Sequence, residues 1–426
     1  MTKIRPLRAV IYNQEKVGGL KNVVCPPYDV ISGSQQDAYH ARSPYNLIYL
    51  ELGKDIAGED KYHRAGVYFK EWLKARVLTQ EESPAAYFYS QQYNLKGEKK
   101  TRFGFIALLK LEENASCIFG HERTRVEAKE DRLKLLRAVK ANLSPIFVIF
   151  SDKKRIIPSL HQEYLSDKKP FIEVADDEGT VHKLWRINDP AVIEKISLAL
   201  EGSNIFIADG HHRYEVSCAY RQEMNRRKKQ RKPEEGFDYV LAYFTSVESR
   251  DLTIMPIHRL AKISREFSLE AFLKQLQVNF DVEEVKDKDR LFLLMQRACG
   301  SGEHLLGMYR EKRYWLLRFK NTKVIDKVII DKPAEYRQLD VSVLNYLVLR
   351  DILGIPLEDK ERIFFSHNAD ELVRRTDQDN SSIAFFLNPV RIQQIMDVAL
   401  KGEKMPAKST YFYPKVLSGL VIHKHD

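Results

Sequence analysis

A short apolar run, Ile205-Phe206-Ile207-Ala208, stops at Asp209-Gly210, and a helix-compatible segment follows from His211 to about Arg226. A brief apolar run closed by a turn reads as a buried strand. Strand, tight turn and helix start within one decapeptide, Asn204–Arg213, therefore commit the chain to a mixed α and β fold. The same ten residues carry chemistry. A helix start offers unpaired N–H groups and the positive end of the helix dipole, which together suit an anion. Here they stand beside a carboxylate, two imidazoles and the planar fork of Arg213, which matches phosphate or carboxylate oxygens. The turn reads as built to hold an anion and to move a proton.

The remaining elements extend the pattern. Strands are expected over Ile4–Tyr12, Val23–Cys25, Tyr45–Leu52, Pro145–Phe150 and Tyr239–Phe244, with hairpins at Ala86–Leu111 and Phe171–Ile187. Helices are expected over Lys61–Ala75, Glu130–Ala141 and Ala191–Leu200, each from apolar positions at helical spacing. Strands and helices mix without strict βαβ alternation, which favours α+β over a doubly wound sheet. Three parts are expected: a core over residues 1–250 with the anion-binding turn, a small α+β lobe over 251–338, and a C-terminal segment over 339–426 that packs back on the core.

Composition narrows the setting. With 426 residues, 44% hydrophobic and 30% charged, the chain has the make-up of a globular protein of a few domains. No apolar run approaches the roughly 18–20 residues that span a bilayer, and the opening residues lack the apolar stretch of a signal peptide. Cys25, Cys117, Cys218 and Cys299 form no CxxC pair, as expected of reduced thiols in a cytoplasm. Much of the net charge of +10 lies in Arg226-Arg227-Lys228-Lys229-Gln230-Arg231-Lys232. A basic run at a helix end complements the dipole and faces water. A nucleic-acid backbone contact is the alternative, but no aromatic-interleaved or helix-turn-helix pattern accompanies the run.

Three clusters are candidates for chemistry. In the first, His211 and His212 diverge by about 100 degrees on a helix, so one binds or transfers a proton while the other packs or orients it. Asp209 either joins them or caps the helix, and a metal there would lack a third ligand close in sequence. The second is Gly120-His121-Glu122-Arg123-Thr124-Arg125, where Glu122 is a candidate general base, a magnesium anchor or a surface ion-pair partner. The third is Met405–Lys415, whose two lysines, Lys408 and Lys415, and two hydroxyls, Ser409 and Thr410, line an anion site or an exposed edge strand. The glycines of a P-loop are missing, as are GxSxG, HExxH and GxGxxG motifs.

The segments Val24-Cys25-Pro26-Pro27-Tyr28-Asp29-Val30-Ile31, Ala208-Asp209-Gly210-His211-His212-Arg213-Tyr214, His367-Asn368-Ala369-Asp370 and Met405-Pro406-Ala407-Lys408-Ser409-Thr410-Tyr411-Phe412 resemble, over essentially the whole chain, a prokaryotic family known as domain of unknown function ten-fifteen. More remotely, the strand–Asp-Gly-His-His-Arg–helix unit, within residues 1–225, resembles the ParB/sulfiredoxin-like superfamily, which includes free L-serine kinases. That resemblance implies a ParB/sulfiredoxin-like mixed sheet core with a smaller α+β lobe, and a phosphotransferase making O-phosphoserine from serine. The donor would be pyrophosphate or a nucleotide with magnesium. It implies that Asp209, Gly210, His211, His212 and Arg213 grip the donor phosphates, with Lys408, Ser409 and Thr410 adding charge and hydroxyls. A separate carboxylate, Glu122 or its rival Glu51, would activate the acceptor hydroxyl. The other function the resemblance allows is a ParB-like, nucleotide-dependent nucleic-acid-binding or regulatory protein.

Overall fold

Pro6, which has no N–H to give to a ladder, splits the opening strand. Ile4–Arg5 (β1) pairs with one partner and Val10–Tyr12 with another, Leu78–Gln80. The longest hairpin joins Ala86–Leu95 (β2) to Glu98–Lys110 (β3). Its turn is only Lys96-Gly97, with φ of 51° and 84°, the doubly left-handed arrangement that follows the twist of paired strands. The computed structural model describes residues 2–112, 117–162, 168–227, 234–264, 266–357, 359 and 361–425. They divide into two units: 1–253 with 414–426, and 254–413. The second unit thus runs through residues 254–338 of the expected lobe and on to residue 413 of the segment expected to follow it.

In the first unit, Ile118–Gly120 (β4), Ile146–Phe150 (β5), Ile172–Ala175 (β6), Val181–Ile187 (β7), Ile205–Asp209 (β8) and Tyr239–Ser246 (β9) complete a mixed sheet. Its order is β4-β8-β5-β9-β3-β2-β7-β6, with β1 continuing along β3. The pairs β8–β4 and β9–β5 are parallel, and the others are antiparallel. One face buries Phe105, Val148, Phe150, Ile205, Ile207 and Phe244 in a single cluster. Phe105 and Phe244 stack there at 4.8 Å. Each such side chain contributes roughly 1.5–3 kcal/mol by leaving water. The fold is α+β, as the sequence predicts.

Two expected strands are not strands. Tyr45–Leu52 contains a helical turn, Ile48–Glu51 (α1). The Asn46 side-chain oxygen accepts the Ile48 N–H at 3.0 Å, while its amide donates to the Asn22 carbonyl at 2.7 Å, so one side chain starts the turn and ties it down. A short apolar run has no period that separates strand from buried helix. Val23–Cys25 makes only an isolated bridge, Cys25 to Ser418.

The tail ends in His423–Lys424, paired with Ala141–Asn142. His423 is buried and its Nε2 lies 2.9 Å from the Gly236 carbonyl. Burial pushes this imidazole down to about 4; the Gly236 hydrogen bond opposes that and the Arg5 charge adds to it. The unfolded chain takes up this proton near pH 6.5, whereas the folded chain holds it off, so stability is lost as pH falls from about 6.5 to about 4, by up to about 3 kcal/mol. Urea titrations across that range should show the loss in the native chain and a shallower one in His423→Gln. Equal slopes would remove His423 as the cause.

The second unit carries an antiparallel sheet of His258–Lys262 (β10), Phe280–Val285 (β11), Leu305–Arg310 (β12), Arg313–Phe319 (β13), Ile363–Ser366 (β14) and Ser382–Phe386 (β15). Its order is β11-β13-β12-β15-β10-β14. Pro256, which has no N–H to give to a ladder, lies between Thr253–Met255 and β10.

Candidate functional site

Strand β8 ends in a bulge. Its register against β5 passes from Ile207 opposite Val148 to Asp209 opposite Phe147, which leaves Ala208 as the extra residue. A bulge re-aims the side chains that follow it, and here it delivers Asp209 to the mouth of helix His211–Arg227 (α3). Gly210 completes the turn at φ 88°, and a Cβ there would stand 3.0 Å from Arg213 Nε. Gly210→Ala is therefore expected to cost about 1–2 kcal/mol of backbone strain and to push the guanidinium aside. Thermal denaturation should detect it, and an unchanged melting temperature would count against this reading of the turn.

Asp209 holds two cations. Its Oδ1 is 2.7 Å from Lys415 Nζ and its Oδ2 is 2.8 Å from Arg213 Nη2. Arg213 Nη1 also donates to the Pro145 carbonyl. Burial works to raise the Asp209 carboxyl, but Lys415 first and Arg213 next outweigh it and hold it well below the ordinary carboxylate range. Both oxygens are thus spent on cations rather than on a helix cap. The triad keeps one net positive charge beside a helix N-terminus. Lys415 is brought there by its backbone: Gln91 Nε2 donates to its carbonyl at 2.8 Å, and Arg102 Nη2 donates to that of Pro414 at 2.6 Å.

The two histidines do one job in two places. His211 Nε2 accepts the His121 N–H at 3.2 Å, and His212 Nε2 accepts the Arg125 N–H at 3.0 Å. Thr124 adds a hydroxyl bond to Glu215 at 2.7 Å. The loop after β4 is stapled to the first turns of α3 at three points. Because Nε2 of His211 is an acceptor, its proton sits on Nδ1, which lies 3.4 Å from Glu122 Oε2. Burial lowers the His212 imidazole, against the pull of Glu122 and Asp29, and so favours the neutral form that the Arg125 bond needs.

A second carboxylate lies deeper. Glu51 is buried, 3.2 Å from Ser144 Oγ and 3.8 Å from Arg132 Nη1. Burial raises its carboxyl, and Arg132 and then Arg213 pull it back. Glu51, Arg132, Ser144 and Arg213 line a cavity of about 50 Å³, the scale of a bound water or two. Arg132 lies 4.1 Å over the ring of Tyr28, and the neighbouring Asp29 is exposed. Glu122, Asp209, Gly210, His211, His212 and Arg213 thus sit together in the first unit, with Glu51 beside them.

Lys408, Ser409 and Thr410 belong to the second unit. Lys408 takes a left-handed φ of 55°, and the Ser409 hydroxyl donates to the Pro406 carbonyl at 2.5 Å. Of the basic run, Arg226 and Arg227 end α3, while residues 228–232 lie outside the described residues. Sequence reasoning missed Arg132, and it offered Lys415 for an anion site without pairing it with Asp209. Lys415 stands in the same Met405–Lys415 segment, but nothing local says which lysine reaches Asp209. Arg132 reads as a surface residue of a helix start, yet is buried. Among the described residues no three His, Cys, Asp or Glu side chains gather as a metal cage, and no helix is long and apolar enough to cross a membrane.

A family described as protein of unknown function (DUF1015) matches residues 4–342. No curated protein matches the chain. Similar solved structures include a free serine kinase mutant in complex with ADP, at 12% identity and TM-score 0.33, covering 72% of this chain and 87% of that one. They also include SbnI with C-terminal truncation from Staphylococcus aureus, at 13% identity and TM-score 0.36, covering 74% and 86%. A conserved hypothetical protein from Pyrococcus furiosus is similar at 11% identity and TM-score 0.32, covering 74% and 92%.

Proposed function

The chain belongs to the DUF1015 family, and for this member we propose a small-molecule phosphotransferase that phosphorylates a hydroxyl acceptor, free L-serine foremost, from pyrophosphate or a nucleotide. The observation that carries this reading is the convergence of Arg213 and Lys415 on Asp209 at the bulged start of α3, with Glu122 on the adjoining loop 3.4 Å from His211 Nδ1. In this reading the first unit is a ParB/sulfiredoxin-like core.

Phosphoryl transfer needs positioned cations and N–H donors more than a covalent nucleophile. Arg213 and Lys415 neutralise donor oxygens, the Gly210–His212 backbone supplies N–H donors, and Asp209 is a positioning residue that fixes both cations. Glu122, whose Oε2 lies 3.4 Å from His211 Nδ1, takes the proton of the acceptor hydroxyl. Magnesium, brought on the donor's own phosphates, needs only one or two protein carboxylates. The exposed Asp29 is a fitting partner, and the metal would spread the charge of the phosphates.

The test is direct. Protein, serine and magnesium are incubated with pyrophosphate, ADP, ATP or CTP in turn, and phosphoserine is followed by phosphorus NMR. Formation with one donor supports the reading, and no product with any donor at high protein concentration overturns it. Nothing among the described residues favours the nucleic-acid reading over this one.

A further inference from the structure

A cavity lies wholly in the second unit, where the reaction proposed above places nothing. It has a volume of about 380 Å³, within the range of small-molecule sites. His304 lines it. His304 is 8% exposed, and its Nδ1 lies 2.8 Å from Asp340 Oδ1. A carboxylate can only accept, so Nδ1 carries a proton, and in the neutral imidazole Nε2 keeps its lone pair. Nε2 makes no hydrogen bond among the described residues.

The charges of the lining are unevenly matched. Each of its acids has a partner: Glu303 pairs with Arg318, Glu335 with Lys401 at 3.4 Å, Asp340 with His304, and Asp397 accepts from Gln393 at 2.7 Å. Arg391, at the start of the helix Ile392–Leu400 (α4), pairs with no carboxylate among the described residues. Its Nη1 would stand 4.0 Å from a Cβ on Gly300, which places the guanidinium over the Gly300 turn of the lining.

A small adjoining cavity shares Asp340, Asn388, Pro389 and Gln394 with the large one and is lined by Arg259 and Ser409. Arg259 is 1% exposed and meets only main-chain carbonyls, those of Ile257, Ala407 and Lys408, and the Phe365 ring. Its Nε has no partner. A buried guanidinium without a counter-charge is costly; Asp340 lines the small cavity with Arg259, while Arg391 on the large cavity is left open to an anionic group.

We propose that this cavity is a second ligand site, for a small carboxylate that also carries an α-amino or α-hydroxyl group. The carboxylate lies against Arg391 on the Arg259 side, and the donor group reaches the lone pair of His304 Nε2. The Ala407–Lys408 stretch then serves an anion site by cradling Arg259 through its carbonyls, not through the Lys408 ammonium.

Cys299, an exposed thiol of the same lining, gives a readout independent of catalysis. The full chain is alkylated with iodoacetamide in the presence of millimolar L-serine, glycine, L-aspartate, L-lactate, D-glycerate or acetate, and Cys299 is followed by mass spectrometry. At least one amino or hydroxy acid should slow its alkylation, and acetate, which lacks the donor, should do so less. Arg391→Gln and His304→Gln should each weaken protection by about tenfold or more. Arg391 is exposed, so its variant tests the site even if the buried His304 variant fails to fold. Asp209→Asn should leave protection unchanged, which separates this site from the reaction of the first unit. No protection by any of these acids, or equal protection in native chain and Arg391→Gln, would overturn the proposal.

Discussion

Replacing Glu122 by glutamine is expected to lower phosphoserine formation by about 10²–10⁴-fold, the usual worth of a positioned base, with the melting temperature unchanged. The carboxylate is the only group altered, and the loop that carries it does not depend on it. That loop is held by main-chain donors to His211 and His212 and by Thr124 on Glu215. The Glu122 side chain is 39% exposed, so it is open to an acceptor from solvent. Glu51→Gln should behave differently. Its carboxylate is 4% exposed and shared by Ser144 and Arg132, so the substitution disturbs a buried pair and costs about 1–3 kcal/mol of stability. Activity would then fall only as far as the folded fraction does. An active Glu122→Gln beside an inactive, fully folded Glu51→Gln would move the base to Glu51.

Much of this site could be read from residue order because its parts are local. An apolar run, a glycine and a helix start within ten residues define β8, the left-handed Gly210 and α3 whatever surrounds them. The Ala86–Leu111 hairpin was equally legible, since the polar Lys96–Lys100 segment with its glycine parts two strand-like runs. What could not be read depends on distant chain. Asp209 looks like a helix cap until Lys415, more than two hundred residues on, is found against it at 2.7 Å. Arg132 looks solvated until Glu51 and Tyr28 close over it. The histidines looked like separate functional groups, yet each takes a main-chain N–H from the Glu122 loop. Tyr45–Leu52 looked like a strand because the bond that ties its helical turn down runs from Asn46 to a segment some twenty residues earlier.

Asp209→Asn is expected to cost about 3 kcal/mol, because removing one partner of a buried ion pair leaves the others charged and uncompensated. Here the loss is felt twice, by Lys415 and by Arg213, whose side chains are 13% and 11% exposed. Lys415→Met should cost less, since Asp209 keeps Arg213. In the double variant Asp209→Asn/Lys415→Met the losses should not add, and the shortfall measures the coupling between the two groups. Denaturant titrations at pH 7 give all four stabilities, and simple additivity would show that the contact is not an energetic pair. Kinetics then separates the partners' roles. Lys415→Met removes a cation from the donor phosphates and should raise the KM for donor, while Asp209→Asn loosens both cations and should lower kcat as well. Acid offers an independent check. The Asp209 carboxyl is held down at about 2, below its unfolded value near 3.9, so its stabilising charge persists down to about pH 4 and is lost only as pH falls further toward 2. The difference in stability between the native chain and Asp209→Asn should therefore stay constant from pH 7 to 4, the window in which His423 takes up its proton on unfolding. A difference that shrank across that window would mean that Lys415 and Arg213 do not hold the carboxylate ionised, and the anion site would lose its organising charge.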